Sequence, residues 1–531
     1  MTAHWGESVA RRGSGVPFLC YEPRHHHVAD LLTDGLRRAD RDHLVQGGRR
    51  LSFGHVVAAA RAVAGHLRAR GLRPGDRLLL LGANSPEWVV VFWATIEAGG
   101  IATVGNGGWS ADEVQHAVGR TAPRLTFADE RGAGRLPAHA ADTVVTVEEI
   151  RTVVDGATPA DPLVRPADHH EDLPAAIVFT AGTTGAPKAV TLPHRSLIAN
   201  LHNLLVMSRR LPHRMDPDRP QSVSLQSGPL FHVGGVQAIL LAMVGGNRLV
   251  FLRDRFDATE VLDVIERERV TWWGPIPTMA SRVLDDPTLP GRDVSSVRSI
   301  SMGGAPVQPA LVARLREAFP NARKGMSTIY GMTETGGTVA AANGRTMAEH
   351  PTTSGAPMPT VELRIDGPGP DGEGEIVVRT PGQMLGYWGD DADGLLDEEG
   401  FVHTGDRGKV VDGLLYVTGR SKDLIIRGGE NIAPAHVESV LLRHPAVGGC
   451  AVVGLPHADL GEEVGAVVRV RADAAVTERE LADFAGQHLG RYQVPSRWWL
   501  RTDDIPTTDA GKLDKRSLRE AWLRREPAGA R

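Results

Sequence analysis

The chain has 531 residues, of which 41% are hydrophobic and 23% charged, a composition typical of globular proteins with at least two domains. Its net charge of -5 gives no electrostatic reason to expect nucleic acid or an anionic membrane as a partner. Cys20 and Cys450 are the only cysteines, which excludes a disulfide framework. Residues 1–15 lack the apolar core of a signal peptide, and no apolar run reaches the roughly 18 residues of a membrane span. We therefore expect a cytoplasmic protein.

The first part of the chain predicts an irregular extension followed by alternating strands and helices. Residues 1–27 are mostly polar and end in His25-His26-His27, whose adjacent imidazoles project in different directions and do not favour a metal site. Helical spacing of apolar residues predicts a helix over 56–67, and a second helix is expected over 87–98. Residues 78–81 are apolar on both faces, as a covered parallel strand should be. This alternation indicates a layered α/β domain.

A loop rich in glycine and threonine joins two strand-like runs, residues 175–178 and 189–192. Its sequence is Phe179-Thr180-Ala181-Gly182-Thr183-Thr184-Gly185-Ala186-Pro187-Lys188. Backbone amides, hydroxyls and one ammonium at this density can form a nest for a polyphosphate, although a surface hairpin turn accounts for the stretch equally well. A kinase-type phosphate loop fits poorly, because Pro187 precedes Lys188 and a strand follows where that loop needs a helix.

The remainder predicts more of the layered domain and two further units. Helices are expected over 197–206 and 236–244, in the layered domain. Beyond about residue 357, short strands separated by Gly, Pro and Asp indicate a β-rich subdomain. We predict a large domain over 28–420 and, after a linker near Lys422, a small α+β domain over 421–531.

Several motifs follow the glycine loop in a particular order. They are Gly303-Gly304-Ala305-Pro306, Tyr330-Gly331-Met332-Thr333-Glu334, His403-Thr404-Gly405-Asp406, Gly419-Arg420-Ser421-Lys422-Asp423, Gly428-Gly429-Glu430-Asn431-Ile432 and Pro506-Thr507-Thr508-Asp509-Ala510-Gly511-Lys512-Leu513. Together they resemble the adenylate-forming superfamily, which contains acyl- and aryl-CoA synthetases, peptide-synthetase adenylation domains and beetle luciferase. The resemblance covers roughly residues 30–516. It implies that a carboxylate attacks the α-phosphate of ATP to give acyl-AMP and pyrophosphate, and that a thiol then displaces AMP.

The resemblance also implies roles for individual residues. The phosphates of ATP would contact Thr180, Thr183, Thr184, Gly185, Lys188 and Thr333. Gly304, Ala305, Pro306, Tyr330 and Gly331 would surround the adenine, with the Tyr330 ring stacked on it, and Asp406 and Arg420 would bind the ribose. Glu334 and Thr183 would hold Mg²⁺, a hard cation that prefers oxygen ligands. Lys512 would reach the reacting oxygens from the small domain, and the expected catalytic residues are Lys512, Thr184, Glu334 and His232.

Each of these residues, taken alone, has an ordinary structural interpretation. A lone lysine such as Lys512 is usually solvated surface, Asp406 could form a turn, and Tyr330 could be a core aromatic. Their order within matching motifs favours the functional roles. The chain also departs from the family pattern, with Ala181 in place of a serine and Ala189 in place of a glycine, so we expect altered ATP affinity.

The second half-reaction requires the small domain to move. Lys512 must leave the cleft before a thiol chain can enter, and rotation of a few dihedrals at a linker can achieve this. The resemblance makes Lys422 the hinge and places Gly428 and Gly429 beside the pantetheine tunnel.

The acyl pocket is expected to include His232, Val233, Gly234, Gly235, Trp273, Gly274 and Ser327. His232 resembles the residue that gates the acyl tunnel, with a packed core histidine as the alternative, and Gly234 and Gly235 would leave space for an alkyl or aryl group. No Asp or Glu lies between Gln226 and Val244 to hold an α-ammonium group, which disfavours an α-amino acid. A fatty or other non-amino carboxylic acid is therefore the expected substrate.

Coenzyme A is the expected acceptor, because the sequence ends shortly after Lys512 without a carrier domain. A separate acyl carrier protein is the alternative acceptor, and a homodimer is left open. A degenerate, non-catalytic nucleotide-binding protein is a further alternative. Ala181 and Ala189 point towards it, whereas the intact Lys188, Glu334, Asp406, Arg420 and Lys512 argue against it.

Overall fold

The structure is a computed structural model that describes residues 5–13, 17–163, 169–180, 187–216, 219–389, 396–420, 423–427, 430–457, 460–472, 474–508 and 511–525. The strands are β1 (Ser8–Arg12), β2 (Phe18–Glu22), β3 (Asp42–Gln46), β4 (Arg49–Ser52), β5 (Arg77–Leu81), β6 (Ile101–Val104), β7 (Leu125–Ala128), β8 (Val144–Thr146), β9 (Pro174–Thr180), β10 (Lys188–Pro193), β11 (Val223–Gln226), β12 (Arg248–Phe251), β13 (Trp272–Trp273), β14 (Ser299–Gly303), β15 (Met326–Met332), β16 (Gly337–Asn343), β17 (Ala356–Pro357), β18 (Glu362–Asp366), β19 (Gly374–Arg379), β20 (Gly386–Tyr387), β21 (Val402–Val411), β22 (Leu414–Arg420), β23 (Ile425–Arg427), β24 (Glu430–Ile432), β25 (Val447–His457), β26 (Gly461–Val470) and β27 (Arg497–Arg501). The α-helices are α1 (Leu32–Gly35), α2 (Phe53–Ala69), α3 (Pro86–Glu97), α4 (Ala111–Thr121), α5 (Glu130–Ala133), α6 (Val147–Asp155), α7 (His194–Met207), α8 (Val233–Gly245), α9 (Ala258–Glu268), α10 (Pro277–Leu284), α11 (Pro309–Ala318), α12 (Gly344–Glu349), α13 (Pro434–Leu441), α14 (Glu478–Gly486) and α15 (Lys515–Arg525).

The N-terminal segment is more ordered than its polar composition predicts. β1 and β2 form an antiparallel pair, so the prediction of an irregular extension over 1–27 was wrong for these residues. Trp5 and Tyr21 are almost fully buried, and the indole N–H of Trp5 donates to Asp34 at 2.9 Å. Burial of these aromatic rings against the large domain explains why the segment is held.

The three adjacent histidines separate in the fold, as expected from their directions. His27 instead lies near His169 and His194, with one ring nitrogen of each within 4.8 Å of the others. The Nδ1 atoms of His27 and His194 accept backbone N–H groups from Ala29 and Val28, which leaves the proton of each neutral ring on Nε2. Because a metal ligand needs that nitrogen deprotonated, this arrangement does not suit a metal ion.

The large domain contains two mainly parallel sheets around buried helices. The first has the order β20-β10-β9-β6-β5-β7-β8, and the second the order β17-β16-β15-β14-β13-β11-β12-β3-β4. The largest hydrophobic cluster contains residues of both, such as Leu80 of β5 and Leu249 of β12. Leu78 to Leu81 are fully buried, which confirms the strand predicted from its continuous apolar run. In such sheets ligands bind beyond the carboxyl ends of the parallel strands, here the ends of β9, β11 and β14.

The predicted β-rich subdomain and small α+β domain are both present. β18, β19, β21 and β22 form a four-stranded antiparallel sheet. The small domain has a five-stranded sheet, β23 to β27, and its own hydrophobic core, to which Val437, Leu441 and Leu481 contribute. A hydrophobic core of its own is the mark of a separate domain. Among the described residues, no helix has the length and apolarity needed to cross a membrane.

Candidate active site

The two strands on either side of the glycine loop pair with each other. β9 and β10 are antiparallel, and Thr180 lies directly opposite Lys188. Thr183, Thr184 and Gly185, like Ala181, lie outside the described residues, so their predicted contacts with phosphate stay predictions. The pairing places the Lys188 ammonium at the carboxyl end of β9.

Lys188 and Glu334 meet at Tyr387, a residue that the sequence analysis missed. The Lys188 ammonium lies 4.7 Å from the centre of the Tyr387 ring, and the Tyr387 hydroxyl donates to Glu334 at 3.2 Å. Tyr387 is brought there because β20 pairs with β10, with Tyr387 opposite Val190. This is a contact between strands almost 200 residues apart, and no local spacing around Gly386-Tyr387 signals it.

Glu334 presents a carboxylate in a polar setting at this end of the site. The residue is 8% exposed and lies in a single turn of 3-10 helix, Thr333–Thr335. One carboxylate oxygen accepts from Tyr387, and the second has no hydrogen bond from the described residues. Buried carboxylate oxygens of this kind suit Mg²⁺.

Asp406 and Arg420 form a fixed pair across two strands. They lie directly opposite each other on β21 and β22, and the Arg420 Nε donates to Asp406 at 2.8 Å. The second oxygen of Asp406 accepts from the hydroxyl of Tyr330 at 2.8 Å. Asp406 is 5% exposed, so these two charged or polar partners offset its desolvation. The two residues predicted to bind ribose are therefore held together.

Tyr330 combines features of both interpretations of the sequence. Its ring is partly buried against a small apolar cluster that includes Val339 and Ala340, while its hydroxyl reaches Asp406. Burial, and then the neighbouring Asp406 charge, raise the pKa of Tyr330 and keep its proton on the phenol. Whether adenine stacks on the ring stays a prediction.

Two of the predicted nucleotide-binding glycines are required by the backbone. A side chain on Gly331 would place its Cβ 1.9 Å from the Gly337 carbonyl oxygen, at a bulge where the pairing of β15 with β16 shifts. Gly304 has a φ of +77°, which favours glycine, and with Ala305 and Pro306 it follows the carboxyl end of β14.

Lys512 projects from the small domain into the same cleft. It lies on a hairpin in which the Thr508 N–H donates to the Lys512 carbonyl at 2.7 Å. The Lys512 Cε lies 3.7 Å from the position that a Cβ on Gly304 would occupy. Lys512 is an exposed residue, yet neighbouring protein atoms partly desolvate its ammonium group. This desolvation, and then the Arg420 charge, lower the pKa of Lys512, while Asp406 and Glu334 act in the opposite direction.

His232, predicted to lie in the acyl pocket, is the N-cap residue of α8. Its Nε2 is buried and has no hydrogen-bond partner, and its ring contacts Phe231 at 4.5 Å. Burial, and then the Lys512 charge, lower the pKa of His232 to about 4, so the imidazole is neutral at pH 7. A neutral imidazole with one unsatisfied nitrogen can accept one hydrogen bond from a ligand or donate one to it.

The structure corrects two of the predicted acyl-pocket residues. Trp273 is 0% exposed, packs near Phe319 and donates its indole N–H to Ser227 at 3.0 Å, so it belongs to the core and does not line an open pocket. Gly235 does not leave space for an acyl group, because a Cβ there would lie 2.5 Å from the Pro229 carbonyl oxygen.

Of the remaining acyl-pocket residues, Gly234 and Ser327 are compatible with the prediction, whereas Gly274 is a third exception. Gly234 has nothing within 4 Å of an added Cβ, and it follows Val233 in the first turn of α8. Gly274 instead makes room for the Trp272 ring, which would lie 2.5 Å from its Cβ. Trp272 is half-buried, so it, and not Trp273, is the tryptophan with surface beside this strand end. Ser327 is half-buried on β15.

The hinge and the tunnel cannot be located in the same way. Lys422, Gly428 and Gly429 lie outside the described residues, so their predicted roles stay predictions.

Comparison with known proteins gives consistent matches over nearly the whole chain. Residues 33–388 match the model of the AMP-binding enzyme family, and residues 436–512 match that of the AMP-binding enzyme C-terminal domain. A feruloyl-CoA synthase from an Amycolatopsis species is 33% identical over 90% of this chain and 95% of its own length. The fatty acid–[acyl-carrier-protein] ligase ScoC of Streptomyces coeruleorubidus is 32% identical over 90% of this chain and 92% of its own. Among solved structures, ATP-bound MatB from Rhodopseudomonas palustris has a TM-score of 0.82 and 28% identity, with 93% of this chain and 99% of that chain covered. The chain therefore belongs to the AMP-binding enzyme family, the adenylate-forming acid–thiol ligases.

Proposed function

We propose that this enzyme converts a carboxylic acid other than an α-amino acid into its acyl-AMP and then transfers the acyl group to coenzyme A. The observation that carries the proposal is the convergence of Lys512, from the small domain, on the cleft that holds Asp406 and Glu334. An ammonium group at that position can stabilise the negative charge that develops when a carboxylate oxygen attacks the α-phosphate of ATP. Mg²⁺ bound at Glu334 would supply further positive charge on the phosphates.

The nucleotide is held by residues with distinct tasks. Asp406, fixed by Arg420 and Tyr330, is proposed to accept hydrogen bonds from the ribose hydroxyls. Lys188 is proposed to neutralise the β- and γ-phosphates, with Tyr387 keeping it close to Glu334. These contacts orient ATP so that its α-phosphate faces the acyl side of the cleft, which reduces the entropic part of the barrier.

The acid side of the cleft supports a substrate with one charged end. Residues 226–244, which run from the end of β11 through the loop into α8, contain no Asp or Glu that could pair with an α-ammonium group. His232 offers a neutral ring nitrogen close to Lys512, and Gly234 leaves open space. A fatty or aromatic acid meets these conditions, since its apolar part needs no polar partner.

Transfer to an acyl carrier protein is the second candidate. Relatives at nearly the same identity are named for each acceptor, feruloyl-CoA synthase on one side and a fatty acid–[acyl-carrier-protein] ligase on the other. The proposal for coenzyme A is supported by further relatives that are named as acyl-CoA ligases.

The direct test is ATP–pyrophosphate exchange with a panel of fatty, aromatic and amino acids, followed by thioester formation with coenzyme A or with a phosphopantetheinylated carrier protein. We expect exchange with at least one non-amino acid and a thioester with coenzyme A. A thioester formed only on the carrier protein would favour the second candidate. Absence of exchange with every acid would contradict both and favour a non-catalytic nucleotide-binding protein.

A further inference from the structure

One face of α10 is a contact surface between the two domains. Thr278, Arg282 and the C-cap residue Asp285 are spaced i, i+4 and i+7, so they lie on the same side of this helix. Each meets a residue of the small domain. The Thr278 hydroxyl donates to the Gly511 carbonyl at 2.6 Å, next to Lys512 in the chain.

The other two positions form ion pairs with the small domain. Arg282 lies 3.3 Å from Asp504, and Asp285 lies 3.0 Å from Arg469. Arg469 also lies 3.6 Å from Asp504, which joins the two pairs into one network. We call these four residues the α10 clamp. Within the large domain, Arg314 donates to Asp285 at 2.6 Å and helps to orient its carboxylate.

The clamp is complementary in charge and partly shielded from water. Arg282 of the large domain faces Asp504 of the small domain. Asp285 of the large domain faces Arg469, so a positive charge meets a negative one at each position. The Asp285–Arg469 pair forms its more buried part, with side chains 27% and 21% exposed, whereas the Asp504 side chain is 56% exposed. Isolated surface pairs contribute little, but a network with a half-buried centre is screened less by solvent.

We propose that Arg282 and Asp285 are positioning residues that hold the small domain in the arrangement in which Lys512 reaches the cleft. This inference rests on the proposed function, because it concerns which half-reaction the arrangement serves. The hairpin of Lys512 is seated on the first turn of α10, where a Cβ on Gly511 would lie 2.4 Å from Ile276. The α10 clamp lies at the other end of the same helix. Lys512 therefore cannot withdraw from the cleft unless the ion pairs of the clamp separate.

The first test measures the two half-reactions separately in Asp285→Asn, Arg469→Gln and the double variant. Each single change should lower acyl-AMP formation about threefold to tenfold and leave thioester formation from supplied acyl-AMP unchanged or faster. The double variant should lose less than the product of the two single losses, because both single changes already break the Asp285–Arg469 pair, with the longer contact of Asp285 with Arg471, at 3.9 Å, lost in addition. Wild-type adenylation should weaken with rising ionic strength more steeply than that of Asp285→Asn. Equal losses in both half-reactions, or additive losses in the double variant, would overturn the proposal.

Asp286→Asn is the matched control. Asp286 follows Asp285 in the chain but bonds to Thr259 and Thr288 within the large domain. We expect this variant to keep the wild-type ratio of acyl-AMP formation to thioester formation. A selective loss of acyl-AMP formation, as expected for Asp285→Asn, would also overturn the proposal.

A second test needs no turnover and separates failure of the clamp from failure of the proposed function. Spin labels at Arg345→Cys and Arg479→Cys, whose native side chains are 88% and 92% exposed, report the distance between the domains. Cys20 and Cys450 are buried, which favours selective labelling. Asp285→Asn should reduce the population at the docked distance and Asp286→Asn should not. An unchanged distribution in Asp285→Asn would reject the clamp even in an active enzyme, whereas a changed distribution in a protein without exchange activity would support the clamp and reject the proposed function.

Discussion

The side of the cleft proposed to bind the nucleotide and the side proposed to bind the acid, here called the nucleotide side and the acyl side, are built in different ways. On the nucleotide side, charged and hydroxyl groups are fixed by direct bonds, as in the contacts of Asp406 with Arg420 and Tyr330. On the acyl side, the shape depends on where side chains are missing, as at Gly234, and on one unsatisfied nitrogen of His232. The first surface suits a ligand that all members of a family share, and the second can change with the acid. Lys512 stands between them and belongs to the other domain.

The largest expected effect is the loss of that lysine. Lys512→Ala should slow acyl-AMP formation by roughly 100-fold or more, because the charge that stabilises the transition state is removed from a partly desolvated site. Thioester formation from supplied acyl-AMP should be spared, since the proposed mechanism has the lysine leave the cleft before that step. Single-turnover measurement of the two half-reactions tests this. Equal loss in both would show that Lys512 serves the fold or the whole site.

The next largest effect is expected from a change on the nucleotide side, at Asp406. Asp406→Asn keeps the size of the side chain but removes the charge that binds Arg420, and hydrogen bonds to charged groups contribute about 1.5–3 kcal/mol. We expect kcat/KM for ATP to fall about 10- to 100-fold with little change in the relative rates for different acids. Steady-state kinetics with two acids would check both parts.

Asp412→Asn provides the control for that variant. Asp412 lies at the exposed turn between β21 and β22, on the same hairpin as Asp406, and asparagine tolerates its φ of +51°. ATP kinetics should stay at the wild-type level. If Asp406→Asn changed the preference among acids as much as the affinity for ATP, the division between the two sides of the cleft would be contradicted.

The sequence predicts the nucleotide side of the cleft better than the acyl side. Asp406, Arg420, Glu334 and Lys512 are predicted site residues because their motifs, in order, resemble those of the adenylate-forming superfamily, and the structure brings them to one cleft. The buried strand at Leu78 to Leu81 is predicted correctly because a run that is apolar on both faces is typical of a covered parallel strand. These are properties of residue type and local order.

Shape, in contrast, depends on packing between distant segments. Trp273 and its neighbour Trp272 are the same residue type, and only the pairing of β13 decides which one is buried. Gly235 is needed by the carbonyl of Pro229, a contact that spacing alone does not reveal. Tyr387 was missed because it depends on the pairing of β20 with β10.

Two neighbouring glycines, Gly234 and Gly235, allow the shape of the acyl side to be tested. Gly235→Ala would force a methyl group against backbone atoms of Pro229 and Leu230, 2.5 and 2.6 Å away, and should destabilise the protein by about 1–3 kcal/mol. Gly234→Ala meets open space and should leave stability unchanged while altering the preference for acid size. Thermal unfolding and an acid panel distinguish the two. Similar loss of stability in both variants would mean that α8 tolerates neither, and that Gly234 is also structural.

The smallest expected effect concerns the protonation of His232. Its pKa of about 4 lies below the ordinary value near 6.5, so between these limits the unfolded chain binds a proton that the folded chain does not. Folding stability is therefore complete above pH 6.5 and declines as the pH falls towards 4. His43 and His202 have pKa values lowered to about 4 by burial and add to the same decline.

His232→Gln separates this histidine from the other two. The variant should lose less stability than the wild type between pH 7 and pH 5, with a difference on the order of 1 kcal/mol, measured by denaturant unfolding at each pH. Wild-type kcat/KM for the acid should show no titration attributable to His232 between pH 5.5 and 8, because the ring stays neutral there. A step near pH 6.5 that disappears in His232→Gln would place the imidazole in contact with water and contradict a desolvated gate. In that case the acyl side would be as polar as the nucleotide side, and the acid would be recognised by charge instead of shape.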